Sequence, residues 1–309
     1  MDCNSWGETT ACIRDIFSHG IEDYMTGLEN RSYLKVYPHY TEYKRGTMQR
    51  CGPGGKRGKI VDFSHKARIR MLQKFGRIVN YPSVWQDFTF PDDVMAEKTV
   101  QERARFSSRC LKQLKRKMEK EFPDLWAIFR REWEPRKSGK LRGQECPHFH
   151  CLWDLKGISP QTFKTVCIRL AALWVDVLNT GERMKALSVA VHPNSFRWIT
   201  NRKMAQNYVS KYVAKLESHG KGESRGRYWM SAGEVPSEEG IEVCITDYEG
   251  DFVRRMFRKK IGDKRSGLYR ILRSRYFATW LFVEGVTVMR MLEYVKDKLG
   301  KEQGRFSPF

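Results

Sequence analysis

Leu125-Trp-Ala-Ile-Phe-Arg-Arg-Glu-Trp133 and His148-Phe-His-Cys-Leu-Trp-Asp-Leu155 are two runs rich in aromatic and aliphatic residues, with Gly139, Gly143 and Pro147 in the polar stretch between them. Each run reads as a strand and the stretch between as a loop. Side chains two apart on a strand share a face. His148 and His150 therefore project together, while Phe149 and Cys151 point into the other layer. Two neutral imidazoles on one face can hold a divalent cation if a neighbouring strand adds a carboxylate. The preceding strand offers Glu132 and Glu134, also two apart, and parity does not choose between them. An isolated His-x-His is more often ordinary packing than a ligand pair.

Working outward, Ser64–Ile78 carries Ala67, Ile69, Met71, Leu72 and Phe75 at helical spacing, with lysines and arginines on its other faces. Trp85-Gln-Asp-Phe-Thr-Phe90 alternates as a short strand and stops at Pro91-Asp92-Asp93, which also suits a helix start. A long basic helix is expected over Val94–Phe122 and an amphipathic one over Thr162–Leu178. Leu187–Val191 reads as a strand closed by His192-Pro193, and a further helix is expected over Arg202–Ser218. The order β-α-β-β-α-β followed by a helix predicts an α+β fold: a ferredoxin-like antiparallel sheet with helices on one face.

The last of these helices contains Asn-Tyr208-Val-Ser-Lys211-Tyr212-Val-Ala-Lys215. Tyr208 and Tyr212 lie one turn apart on one face, and each has a lysine three residues later. Aromatic packing with the lysines in solvent is the commoner account of an isolated Tyr-x-x-x-Tyr, but it places no demand on the lysine spacing. A nucleophilic role accounts for both. A phenol of pKa about 10 is roughly one part in a thousand ionised at pH 7, a cost of about 4 kcal/mol, which a nearby ammonium or a polarised phosphate reduces.

Composition narrows the partner. Among 309 residues, 57 lysines and arginines face 36 acids, for a net charge of +21 and a pI near 9.7. Such an excess favours a polyanion, since each cation that neutralises a phosphate releases a counterion. With 40% hydrophobic and 13% aromatic residues the chain can build a core, which excludes a wholly disordered basic protein. Mean hydropathy is −0.61, and no run approaches the roughly 18 apolar residues of a membrane span. The nearest stretch, Tyr276–Leu292, is interrupted by Glu284 and Arg290 and reads as core or interface.

The first fifteen residues have neither a basic start nor an apolar run, so no secretory signal is expected. Eight scattered cysteines without a CxxC pair read as free thiols of a reducing compartment. Residues 1 to about 60 show no sustained period and end in Cys51-Gly-Pro-Gly-Gly-Lys-Arg-Gly-Lys59. This is not a nucleotide-phosphate loop, because Ile60 follows Gly58-Lys59 and Pro53 stands where the first glycine is needed. Arg254–Arg275 holds ten cations against one acid, Asp263, and suits an amphipathic basic helix or helix pair on duplex DNA, or equally a solvated face.

Taken together, Phe-Thr-Phe-Pro-Asp-Asp at 88–93, Phe-Arg-Arg-Glu-Trp at 129–133, Pro147-His-Phe-His-Cys-Leu-Trp153, Tyr208–Lys215 and Gly226-Arg-Tyr-Trp229 resemble the HUH superfamily of rolling-circle replication initiators, in its two-tyrosine phage and plasmid class. The resemblance runs from about Phe63 to Trp229. It implies an HUH nicking and ligating domain over 63–235, between an N-terminal extension (1–62) and a basic accessory region (236–309). It further implies that His148 and His150, with Glu132 as third ligand, hold Mg2+ or Mn2+. Tyr208 or Tyr212 would attack the scissile phosphate of single-stranded origin DNA, with Lys211 and Lys215 steadying it or trading a proton. The products would be a 5′-phosphotyrosyl enzyme and a 3′-OH that primes synthesis.

A host helicase and DNA polymerase would then be partners, in a bacterial host's cytoplasm and with no role for a membrane. Arg254, Arg255, Arg258, Lys259 and Lys260 are the candidate DNA-binding cations of the accessory region. The tyrosines follow the histidines, as in initiators and unlike conjugative relaxases. A two-tyrosine transposase shares that order and is the alternative enzyme. A non-catalytic basic nucleic-acid-binding protein is the alternative outside enzymes, and it leaves both motifs as coincidences.

Overall fold

The computed structural model describes residues 32–37, 40–45, 60, 62–214, 225–246, 249–253, 255, 279–281, 287, 288, 290–294 and 297. Two compact units divide them: one is built from the first and last stretches with 73–79, the other from 55–72 and 80–236.

In the first unit, β1 (Ser32–Tyr37) and β2 (Tyr40–Arg45) join β8 (Ile241–Ile245) and β9 (Thr279–Leu281) in an antiparallel sheet of order β8-β1-β2-β9. Leu34, Val36, Tyr43, Val243, Ile245, Val253, Val288 and Leu292 form its core. Glu42 is buried, and its charge is met by Arg77 at 3.1 Å. The Arg77 guanidinium also lies over the Tyr37 ring, 5.3 Å from its centroid. Burial, reinforced by Glu42, pushes the Tyr37 phenol up to about 12.

The second unit carries the site. After α1 (His65–Gly76), of which 65–72 belong to this unit and whose Ala67 amide donates to the Ser64 hydroxyl at its N-terminus, come β3 (Val84–Thr89) and the short α2 (Asp92–Met95). Next are α3 (Val100–Glu121), β4 (Leu125–Pro135), β5 (Glu145–Leu155), α4 (Phe163–Leu178) and α5 (Arg183–Ala190). The unit closes with β6 (Phe196–Trp198), α6 (Arg202–Ala214) and β7 (Trp229–Ala232). All strand pairs are antiparallel, in the order β6-β3-β5-β4-β7. The fold is thus a mixture of helices and antiparallel sheet in the α+β class.

Side-chain parity explains the layers. Val84, Gln86 and Phe88 of β3 are buried, as are Ala127 and Phe129 of β4 and Phe149, Cys151 and Trp153 of β5. They pack against the apolar stripes of α3 (Leu111, Leu114, Met118) and α4 (Cys167, Leu170, Trp174). The α3 stripe steps by three and four residues, as a 3.6-residue turn requires. A reciprocal cap starts that helix: Thr99 accepts from the Glu102 amide at 3.3 Å, and the Glu102 carboxylate accepts from the Thr99 amide at 2.8 Å. The single expected helix Val94–Phe122 is therefore broken, because Thr99 begins a new one after α2 ends.

Gln86 is fully buried within this core. Its amide donates to the Cys167 carbonyl of α4 at 2.9 Å and accepts from the Trp153 indole of β5 at 3.2 Å. Gln86→Leu leaves both groups dry and unmatched, and each such loss costs about 1–3 kcal/mol. A destabilisation of about 2–4 kcal/mol is the expected result of chemical denaturation. A loss under 0.5 kcal/mol would show that the bridge contributes nothing net.

One strand expectation is overturned. Leu187–Val191 is not a strand: its first four residues belong to α5, which continues from Arg183, and the edge strand is β6. Ala186 and Ala190, four apart, pack on Ala171 and Val175 of α4, a helical spacing that a five-residue apolar run cannot display. The strands β1, β2 and β8 also arise where no period was read.

The described cysteines Cys110, Cys146, Cys151, Cys167 and Cys244 are free thiols. Burial pushes Cys110 up to about 11 and Cys167 to about 12, so both are packing groups. No described helix is long and apolar enough to cross a membrane.

Candidate active site

The face of the five-stranded sheet opposite α3 and α4 carries the chemistry. β5 runs between β3 and β4, so its residues have a neighbour on each side. The register sets Glu132 of β4 opposite His148, and Asp87 of β3 opposite His150. Parity then turns these four side chains to the same face, while Phe149 between the histidines is fully buried in the core.

The resulting distances are short. Glu132 Oε2 lies 2.7 Å from His150 Nε2 and 3.2 Å from His148 Nε2, and the two Nε2 atoms are 3.0 Å apart. These separations are close to the roughly 3 Å edge of a coordination polyhedron with bonds of about 2.1 Å. Glu132, His148 and His150 are the group of described metal-type ligands whose donor atoms converge, all within 4.8 Å of one another. Two imidazole nitrogens and a carboxylate oxygen fit a divalent transition ion or Mn2+, and with added water also Mg2+.

The other nitrogen of His150 is held from behind. Asp87 Oδ1 sits 2.6 Å from His150 Nδ1, the carboxylate–imidazole support that fixes a ligand's tautomer and orientation. Burial opposes charge on the ring, but the hydrogen bonds to Asp87 and Glu132 outweigh it and hold the His150 pKa above its usual value.

Asp87 is the functional residue that sequence reasoning missed. Its signal was the alternation of Trp85–Phe90, which leaves one acid on the strand's polar face. Asp87→Asn keeps the shape and removes the charge, and such support is worth 10–100-fold in metal affinity or activity. Mn2+ titration calorimetry is expected to register about a tenfold to hundredfold loss, and unchanged affinity would exclude the supporting role.

The helix α6 delivers the nucleophile candidate. Asn201 caps it by accepting from the Met204 amide at 2.9 Å, and Ala205 and Val209 anchor its inner side in the core. Tyr208, on the same flank, places its hydroxyl 3.1 Å from His150 Nδ1. The Tyr208 ring meets Trp85 edge-on at 5.4 Å between centroids and His150 at 6.1 Å. An Nδ1–H shared between Asp87 and the Tyr208 oxygen stabilises negative charge developing on that oxygen.

Of the other expected residues, Lys211 is exposed beside Tyr208, while the Tyr212 side chain and Lys215 lie outside the described residues. Glu134 shares a cleft of about 770 Å3 with His148, His150 and Asp87. The β4–β5 hairpin brings Arg136, Lys137 and Lys140 to that cleft. The hairpin is tied down at Asp92, which accepts from the Leu141 amide at 3.4 Å. Gly139 has φ of +80°, and a side chain there would run into the Asp92 carboxylate. Arg130, opposite His150, has its guanidinium 4.1 Å from the Phe63 centroid and 5.3 Å from that of Tyr228, two rings that stack on one another. Arg255 donates to the Asp251 carbonyl and lies over Phe252 in the first unit. Arg254, Arg258, Lys259 and Lys260 fall outside the described residues.

No family model matches the sequence, and no curated protein matches it. Among solved structures, the chain is similar to the N-terminal nuclease domain of minute virus of mice non-structural protein-1, described as having a unique Zn2+ coordination in its active-site pocket and a novel mode of DNA recognition at the origin of replication. The identity is 14% and the TM-score 0.22, over 76% of this chain and 78% of that one, and a likeness at that score carries no argument for fold or activity.

Proposed function

We propose that the chain is a metal-dependent, site-specific nickase of single-stranded DNA that initiates rolling-circle replication, with a ferredoxin-like HUH catalytic domain over residues 63–235. One observation carries the reading: a tyrosine hydroxyl lies 3.1 Å from a ring nitrogen of His150, whose opposite nitrogen belongs to a His-His-Glu ligand group. Non-catalytic nucleic-acid binding has no use for that convergence. The strand order β6-β3-β5-β4 supports the ferredoxin-like assignment.

In this mechanism His148, His150 and Glu132 hold the cation, and Asp87 fixes the His150 ring. A bound Mg2+ or Mn2+ would supply Lewis-acid polarisation of the non-bridging phosphate oxygens. The Tyr208 oxygen attacks phosphorus, an O–P bond forms and the P–O3′ bond breaks. The proton lost by the phenol is matched by the one the departing 3′-oxygen gains. The products are a 5′-phosphotyrosyl enzyme and a free 3′-OH, and no nucleotide hydrolysis is needed because the phosphodiester energy stays in the covalent bond. Lys211 and Lys215 steady the phosphate. Tyr212 serves the resolving step, in which a second nucleophile closes the circle. A host helicase separates the strands and a host polymerase extends the 3′-end, in the host cytoplasm.

The test is direct. The protein is incubated with Mn2+ and a panel of single-stranded and hairpin origin oligonucleotides, and SDS-resistant protein–DNA adducts are scored. An adduct formed with Mn2+ and absent with EDTA is expected. Failure to form one on any member of the panel would leave only nucleic-acid binding.

A further inference from the structure

A second cavity, of about 330 Å3, shares Tyr208 and Lys211 with the mechanism above but is lined by neither histidine. Trp85 of β3 and Tyr208 wall it, and Pro193, Ile199 and Met204 add apolar lining, while the Phe196 ring of β6 turns to the core face against Phe163. Strand pairing builds it, since Trp85 lies opposite Arg197 and the two share a face. Asn194, Arg197 and Lys211 also line it, and no carboxylate does.

Aromatic walls and cations without acids are the complement of a flat, polar-edged ring attached to a phosphate. The volume is at the lower end of small-ligand pockets, about 300–1,000 Å3, which admits one base and not a stacked run. We propose that this cavity takes a single unstacked base of single-stranded DNA, from a nucleotide flanking the phosphate that Tyr208 attacks. The base lies against Trp85, its edge meets the Asn194 amide, and Arg197 and Lys211 meet the neighbouring phosphate. A base still paired in a duplex cannot enter, so the pocket selects melted DNA beside the nucleophile. This assignment rests on the nicking reading for its place in the reaction, but the binding itself is measurable without cleavage.

The probe is a 12-nucleotide oligo-dT carrying 5-iodouracil, mixed with the full chain in EDTA so that no cutting occurs. It is irradiated, and the cross-linked peptides are mapped by mass spectrometry. Cross-links at Trp85 are expected, and annealing the probe to its complement should remove them. Asn194→Ala/Arg197→Ala, both at exposed positions, is expected to weaken binding of the single strand about tenfold. Cross-links confined to other surfaces, or unchanged affinity in the double variant, would overturn the pocket. A protein that cross-links here yet forms no SDS-resistant adduct keeps the pocket and loses the nicking reading. One that forms the adduct without these cross-links loses the pocket alone.

Discussion

Tyr208→Phe is expected to lower covalent adduct formation by about a thousandfold or more, equivalent to roughly 4 kcal/mol of barrier. The variant keeps the ring, so the edge contacts with Trp85 and His150 and the packing of α6 survive. Only the oxygen 3.1 Å from His150 Nδ1 is lost. A free phenol is about one part in a thousand ionised at neutral pH, and the shared Nδ1–H lowers the cost of charging it. Affinity for single-stranded oligonucleotide, read by fluorescence anisotropy, should stay within about threefold of wild type, because the hydroxyl contributes little to holding the substrate. Tyr212→Phe should leave the first adduct intact and block the return step. Wild-type adduct yield in Tyr208→Phe, with full loss in Tyr212→Phe, would reverse the two roles.

The legible part of this molecule is the part where one period dominates. The strand around 85–90 alternates, those around 125–133 and 148–155 are runs of aromatic and aliphatic residues, and the two-residue period of a strand aligned His148 with His150 and set Phe149 into the core. The choice between Glu132 and Glu134 is of another kind. Both share the face, and only the register, which sets Glu132 opposite His148, brings Glu132 to the imidazole nitrogens. Register is a property of two strands together and is not written in either. Asp87 escaped for the same reason, since its meaning comes from lying opposite His150. The segment 187–191 failed on length, because five apolar residues fit a helix turn as well as a strand. β1 and β2 pair with each other across two residues, but the strands that flank them, β8 and β9, are some two hundred residues away, and a buried Glu42 met by Arg77 breaks the apolar alternation.

Glu132→Gln and Glu134→Gln form the pair that separates a metal site from a merely polar face. The two carboxylates share a strand, a chemistry and a parity, but Glu132 is buried at 2.7 Å from His150 Nε2 whereas Glu134 is only half-buried in the cleft wall. Glu132→Gln replaces an anionic donor by a neutral amide and should weaken Mn2+ binding by about a hundredfold or more, since even residues that only support a ligand are worth 10–100-fold. Adduct formation should fall with it. Glu134→Gln should alter either by no more than about threefold. His150→Ala should match or exceed Glu132→Gln, because it removes a ligand and leaves Asp87 and Glu132 without the ring between them. A stability readout guards against unfolding as the cause. Mn2+ at a hundred times its Kd should stabilise the wild type and Glu134→Gln by about 2.7 kcal/mol in thermal melts, and Glu132→Gln scarcely at all. If Mn2+ protects all three variants equally, the cation binds elsewhere, and the two imidazoles and Glu132 are a buried polar network whose role is to hold the sheet together.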